Sequence, residues 1–316
     1  MVALRVLLPL LALMASSCSG GGSHAGRAKG HEAQHGQGSV GAAGAGGRKA
    51  TEGGPTSGGT PAGTTSGVPI LPGWPGPDNT GVPAGVSLTP SGPLTVSTPG
   101  AVIDALDVSG GIVVRANDVT IKRTRVRSGG RLIFVARGVV NLVIEDVELD
   151  GLNAAPAGVQ PGHYTARRVN IHNTHDGLKL GDDTIVQDSF VHDLFHCATC
   201  HNDGSQGSGP AHDVRLVHNT ILNPGRPGAV SAINLDTQLG AISDVVIDDN
   251  FLDGGAHTLY LTDKRTGYGP PTSVTLRDNR FGRHFRFDLG RIDADVQQSG
   301  NTWADGTPIS DVTGTR

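Results

Sequence analysis

Aromatic side chains are scarce in this chain: Phe, Tyr and Trp make up 4% of its 316 residues. A globular sandwich of that size usually wants more large core rings, whereas a solenoid fills a thin core with stacked aliphatic side chains. A basic excess is also missing, with a formal net charge of −4 and 17% charged residues. Nucleic-acid binding needs a basic face, so this balance argues against it, and there is no polybasic membrane signal. Weak acidity neither favours nor excludes an acidic polysaccharide. Long apolar runs are lacking too: after residue 14 no stretch approaches the roughly 18 residues that a transmembrane helix requires.

The apolar run that is present comes first. Arg5 is followed by Val6 to Met14, too short to cross a bilayer and shaped like the hydrophobic part of an export signal. The next residues, Ala15-Ser16-Ser17-Cys18, resemble the cleavage box of bacterial lipoproteins, which implies cleavage of the signal within 1–18 so that Cys18 is lipidated and becomes the new N-terminus. An ordinary cleaved signal with an incidental Cys is the alternative. Residues 19–76 are rich in Gly, Ser, Thr, Ala and Pro and read as a disordered spacer; His24, His31 and His35 within it are expected to be solvated. The expectation is an exported protein, secreted or held in the cell envelope, touching membrane through a lipid anchor only.

From residue 77 the chain repeats. An apolar residue, a skip, a second apolar residue and a third five further on recur from Ala101, Val119, Leu142, Tyr164, Thr184, Val214, Val245 and Val274. Alternation by two followed by a corner is strand chemistry, because alternate side chains point inward. Intervals of 18 to 31 residues between those starts match one turn of a coil. The sequence therefore predicts an all-β parallel β-helix over 77–316, right-handed by the usual rule for parallel crossovers. Asn219, Asn250 and Asn279 hold the same place in three coils and are expected to stack inward, bonding one another.

Each coil carries another short strand before the next start. The outward residues of these strands form a column: Val113, Phe134, Gln160, Lys179, Gln206, Asn234, Tyr260. It is apolar at first and polar from Gln160 onward. The connection to the next coil lengthens from five residues after Val159 to fifteen after Leu259, which would wall in the polar part.

With that pattern the chain resembles the parallel β-helix proteins of the pectate-lyase-like superfamily, in particular secreted bacterial members. The residues that carry the resemblance include Pro77-Asp78-Asn79-Thr80-Gly81-Val82-Pro83, His201-Asn202-Asp203-Gly204-Ser205-Gln206 and Gly300-Asn301-Thr302-Trp303. It implies the fold over about 77–305 and says little of activity, since that superfamily hosts lyases, hydrolases, epimerases and non-catalytic members.

The strongest candidate cluster spans coils four to seven. Asp176, Lys179, His201 and Asp203 are the candidate catalytic residues; Gln160, Gln206, Asn234, Asp236, Tyr260, Asp263 and Lys264 would extend a substrate groove. Coils lie about 4.8 Å apart, so Asp176 and Asp203 should stack. Paired carboxyls can cleave a glycosidic bond as acid and as base or nucleophile. They can instead hold Ca²⁺ while Lys179 or Lys264 abstracts a uronate proton. The bland reading is that both Asp-Gly pairs only shape turns. Cys197-Ala198-Thr199-Cys200-His201 fits a disulfide between Cys197 and Cys200, zinc ligation, or the spacing of a c-type haem attachment. Arg123, Arg125, Arg127 and Arg131 form a basic patch, taken as solvated. The functional expectation is a monomeric lyase or hydrolase of extracellular polysaccharide; the rival is a cell-surface module without catalysis.

Overall fold

The structure, a computed structural model, describes residues 64–65 and 67–313 apart from 198 and 225. The leader, Cys18, the three linker histidines and the expected spacer up to residue 63 lie outside the described residues.

The described residues form strands and no helix, and strands of successive coils pair in parallel. One sheet has nine strands, from Val102–Asp104 to Val296–Ser299. The other two stacks join into a 17-stranded sheet, because Glu148–Val159 and Asn170–Lys179 each run unbroken round the corner between them. The fold is a parallel β-helix. Ile121, Ile144, Ala166, Val186, Leu216, Ile247 and Leu276 stand opposite one another in the first sheet, and all are buried. Each buried aliphatic side chain contributes roughly 1.5–3 kcal/mol. A long stack of small increments thus replaces one large globular core.

A feature the alternation did not reveal makes the first corner of each coil. Two residues after each inward position the backbone turns left-handed: Ala105, Arg123, Asp146, Arg168, Asp188, His218, Asp249 and Asp278 have φ from 46° to 56°. Asp tolerates that region because its short side chain bonds locally, and it takes four of these eight corners. The following residue then points inward. Asn219, Asn250, Asn279 and Asn301 fill that place and form the expected ladder, one rung longer than the sequence reading. Asn219 gives both its backbone N–H and its Nδ2 to Asn250 Oδ1, each at 2.9 Å. Asn250 does the same to Asn279 and Asn279 to Asn301, while every Nδ2 also reaches a backbone carbonyl.

Residues 67–76, just ahead of the expected start of the domain at 77, pack on the coils. Val68 and Ile70 are buried and, with Leu71 and Trp74, pack on Phe190, Leu222 and Phe251. Phe190 and Phe251 share one register position through Thr220. Their neighbours Val191 and Leu252 belong to the core, so the two rings face outward. The segment is a strap over an aromatic patch that would otherwise face water. Its few apolar residues were hidden in a Gly- and Pro-rich stretch.

Candidate functional site

The outward column forms as the spacing predicts. Phe134 pairs with Val113, and the pairings of Val159 with Ile133 and Leu178 set Gln160 between Phe134 and Lys179. Lys179 then pairs with Gln206, Gln206 with Asn234, and Asn234 with Tyr260. Tyr260 pairs in turn with Arg291, which the sequence reading missed. There the inward position before the column is Gly290 rather than an aliphatic residue, so the strand lost its signature.

The carboxyl pair depends on its glycines. A Cβ on Gly177 would lie 2.5 Å from Val191 and 2.1 Å from the Gly204 carbonyl oxygen. One on Gly204 would lie 2.2 Å from Ile221 and 2.6 Å from the Ala232 carbonyl oxygen. These positions therefore face the crowded core and admit only glycine. Their neighbours Asp176 and Asp203 are turned to the opposite side. The register of Lys179 with Gln206 stacks them, and the Asp203 backbone N–H donates to Asp176 Oδ1 at 2.8 Å.

The two carboxyls have different surroundings. Asp203 is 1% exposed. Ser231 Oγ donates to its Oδ1 at 2.6 Å and Asn234 Nδ2 to its Oδ2 at 3.1 Å. Burial, and then the charge of Asp176, push the Asp203 carboxyl up to about 7, against the pull of those two donors and of Lys179. Asp176 instead makes an ion pair with Lys179, whose ammonium also bonds Gln206 Oε1. Ser231 is a second residue missed from sequence. It pairs in register with Asp203, so following the Asp176–Asp203 column one coil further would have found it.

The remaining candidates divide. Asp236 is 3% exposed, with Lys264 Nζ at 3.5 Å from its Oδ2 and the Gln238 N–H on its Oδ1. Burial raises the Tyr260 hydroxyl above its usual value, and His257 lies edge-on to the ring at 5.0 Å. Gln160, Lys179 and Gln206 line a cleft of about 420 Å³ together with Pro210 and Leu239. Asp263 accepts from the Arg265 N–H at 2.6 Å and shapes a turn. His201 differs in its surroundings. It is exposed, and no hydrogen bond or ion pair among the described residues involves it. The next residue, Asn202, is buried and ties the His175 and Phe195 carbonyls together, which leaves His201 on the outside of the loop.

Cys197 and Cys200 form a disulfide, which excludes thiol ligation of zinc or thioether attachment in this state. Among the described residues no three His, Cys, Asp or Glu side chains are grouped to hold a metal. Most of the basic patch is paired: Arg123 with Asp104, and Arg125 and Arg127 with Asp107, while Arg131 lies over the Phe134 ring at 4.3 Å.

No family model matches the chain, and neither does any curated protein. Among solved structures it is similar to the crystal structure of the Agl-KA catalytic domain, at 11% identity and a TM-score of 0.38. That match covers 67% of this chain and 56% of the other, so the chain spans little more than half the length of that solved structure. A likeness of this size carries no argument about activity.

Proposed function

We propose that the chain is an exported enzyme that hydrolyses glycosidic bonds of an extracellular polysaccharide in the groove over its later coils. One observation carries the reading. Asp203, pushed up to about 7, keeps a proton near neutral pH beside a second carboxyl, Asp176. Protonating a leaving glycosidic oxygen needs such an acid, and the neighbouring carboxylate can act as nucleophile or activate water. Asp203 is the acid in this scheme and Asp176 the base or nucleophile. Tyr260 offers a ring face for a sugar, and Gln160, Gln206 and Asn234 offer amides.

Elimination fits less well. Its base would be Lys179, which is engaged by Asp176 and Gln206 and would have to lose a proton while paired. Asp176 and Asp203 would then hold Ca²⁺ and supply the acidifying charge. A second reading, sugar binding without chemistry, is favoured by one fact: Asp203 is 1% exposed, so neighbouring side chains must move before substrate reaches it. In either reading the protein belongs beside the pectate-lyase-like β-helix proteins, acts as a monomer, and is tethered through a lipid at Cys18 and the long spacer.

The test is a screen of the mature protein on neutral glycans and uronic-acid polymers. Hydrolysis yields new reducing ends without the ultraviolet absorbance of an unsaturated uronide, and Asp203→Asn removes them. Appearance of that absorbance would replace hydrolysis by elimination. Binding without either product would leave the non-catalytic reading. Conversion of Cys18 to Ala should shift the protein from the membrane to the soluble fraction; if it does not, the lipid anchor is wrong.

A further inference from the structure

Resting on the reading of this groove as a glycosidic site, we infer that it takes a neutral polysaccharide and recognises it through hydroxyl groups, with Asn234 and Thr262 as specificity-determining residues. Two buried polar atoms here have no hydrogen-bond partner among the described residues: Asn234 Oδ1 and Thr262 Oγ1. The residues are 6% and 4% exposed. A fold seldom leaves such atoms orphaned unless water or a ligand completes them. Asn234 pairs in register with Tyr260, and Asp236 with Thr262. Leu261, between Tyr260 and Thr262, points into the core. The two atoms therefore sit on adjacent coils, on the outward face, two residues apart along the strand. Strand and coil spacings put them roughly 8 Å apart, a span that two hydroxyls of one sugar or of adjoining sugars can bridge.

The charges around them point the same way. Asp176 and Asp236 each hold a lysine ammonium, Lys179 and Lys264 respectively, so neither pair offers a free positive charge to a uronate. The feature that would suit an acidic polymer is Arg291, exposed at the end of the column with no ion pair among the described residues. It lies one coil beyond Tyr260, offset from Thr262 by the same coil and two residues as Asn234 is on the other side, so Arg291→Ala tests the acidic alternative directly.

The experiment compares neutral polysaccharides with uronic-acid polymers on the mature protein, measuring both affinity in polysaccharide gels and reducing ends. The expected result is that neutral polymer is bound and cleaved. Thr262→Val should raise KM about tenfold with little change in kcat, as loss of one hydrogen bond to substrate would, and Thr262→Ser should restore it. Thermal unfolding of both variants separates lost contact from lost folding. Neutral polymer bound in a Thr262-dependent way but never cleaved would overturn hydrolysis and leave this inference standing. Cleavage of uronic-acid polymer alone, without unsaturated-uronide absorbance and abolished by Arg291→Ala, would overturn this inference and leave hydrolysis standing. An unchanged KM for Thr262→Val would also overturn it, and failure to bind any polymer would overturn both.

Discussion

Two buried polar systems run along the same coils, and they are built differently. In the asparagine ladder from Asn219 to Asn301 the side-chain oxygens of Asn250, Asn279 and Asn301 each accept two N–H groups, that of Asn219 accepts the Ser189 N–H, and each Nδ2 finds a carbonyl. Around Asp203 the arrangement is incomplete: one carboxyl lies near neutral pKa, and Asn234 Oδ1 and Thr262 Oγ1 are left over. A closed network stabilises and orders a fold, whereas an open one waits for something to close it. That difference separates a structural polar column from a candidate site better than burial does, since both columns are buried.

The largest expected effect breaks the open system alone. Asp203→Asn should lower hydrolysis by about 10²–10⁴-fold, the range for loss of a general acid, while polymer binding persists. Equal loss for Asn250→Ala, corrected for folded protein, would mean that the ladder is no different from the groove.

Next comes pH. The folded pKa of Asp203 lies above its unfolded value near 3.8. The native state thus holds the extra proton between those values, and stability falls as pH rises from about 4 to about 7. Below that window the burial of a neutral carboxyl is not penalised; above it the penalty is complete, on the order of 4 kcal/mol. Asp203→Asn should therefore raise the melting temperature at pH 8 and change it little at pH 4. Equal shifts at both pH values would disprove a perturbed Asp203.

The ladder responds in the opposite sense. Asn250→Ala strands Asn219 donors and the Leu216 carbonyl in the core, at a cost of about 1–3 kcal/mol for each group left unmade. Its melting temperature should fall by roughly 5–10 °C, with no dependence on pH between 4 and 8. The strap gives the smallest effect. Ile70→Ala removes part of the cover over Phe190 and Phe251 and should cost about 2 kcal/mol, as buried Ile truncations near the surface do. Hydrolysis should be untouched, because the strap lies on another sheet stack from the column.

Much of this was legible because a solenoid repeats. Val214, Val245 and Val274 declare their register by spacing alone, and once they stack, Lys179, Gln206, Asn234 and Tyr260 must stand in one line. Where the repeat lapses, legibility stops. Gly290 hid Arg291, and the proline-rich stretch hid Val68 and Ile70. His201 showed a different limit: its neighbours Asn202 and Asp203 are buried and it is not, and a loop's path decides that.

The sequence by itself determined a parallel β-helix, its coil boundaries, its asparagine ladder and the polar column, because each follows from a period that adjacent coils must share. Only the tertiary structure decided that Asp203 is sealed under Ser231, Asn234 and Lys179 while Asp176 is paired, and that Asn234 and Thr262 keep an unmet hydrogen bond. Desolvation and partner choice depend on which side chains of three different coils close over one another, and no spacing along a single chain encodes that.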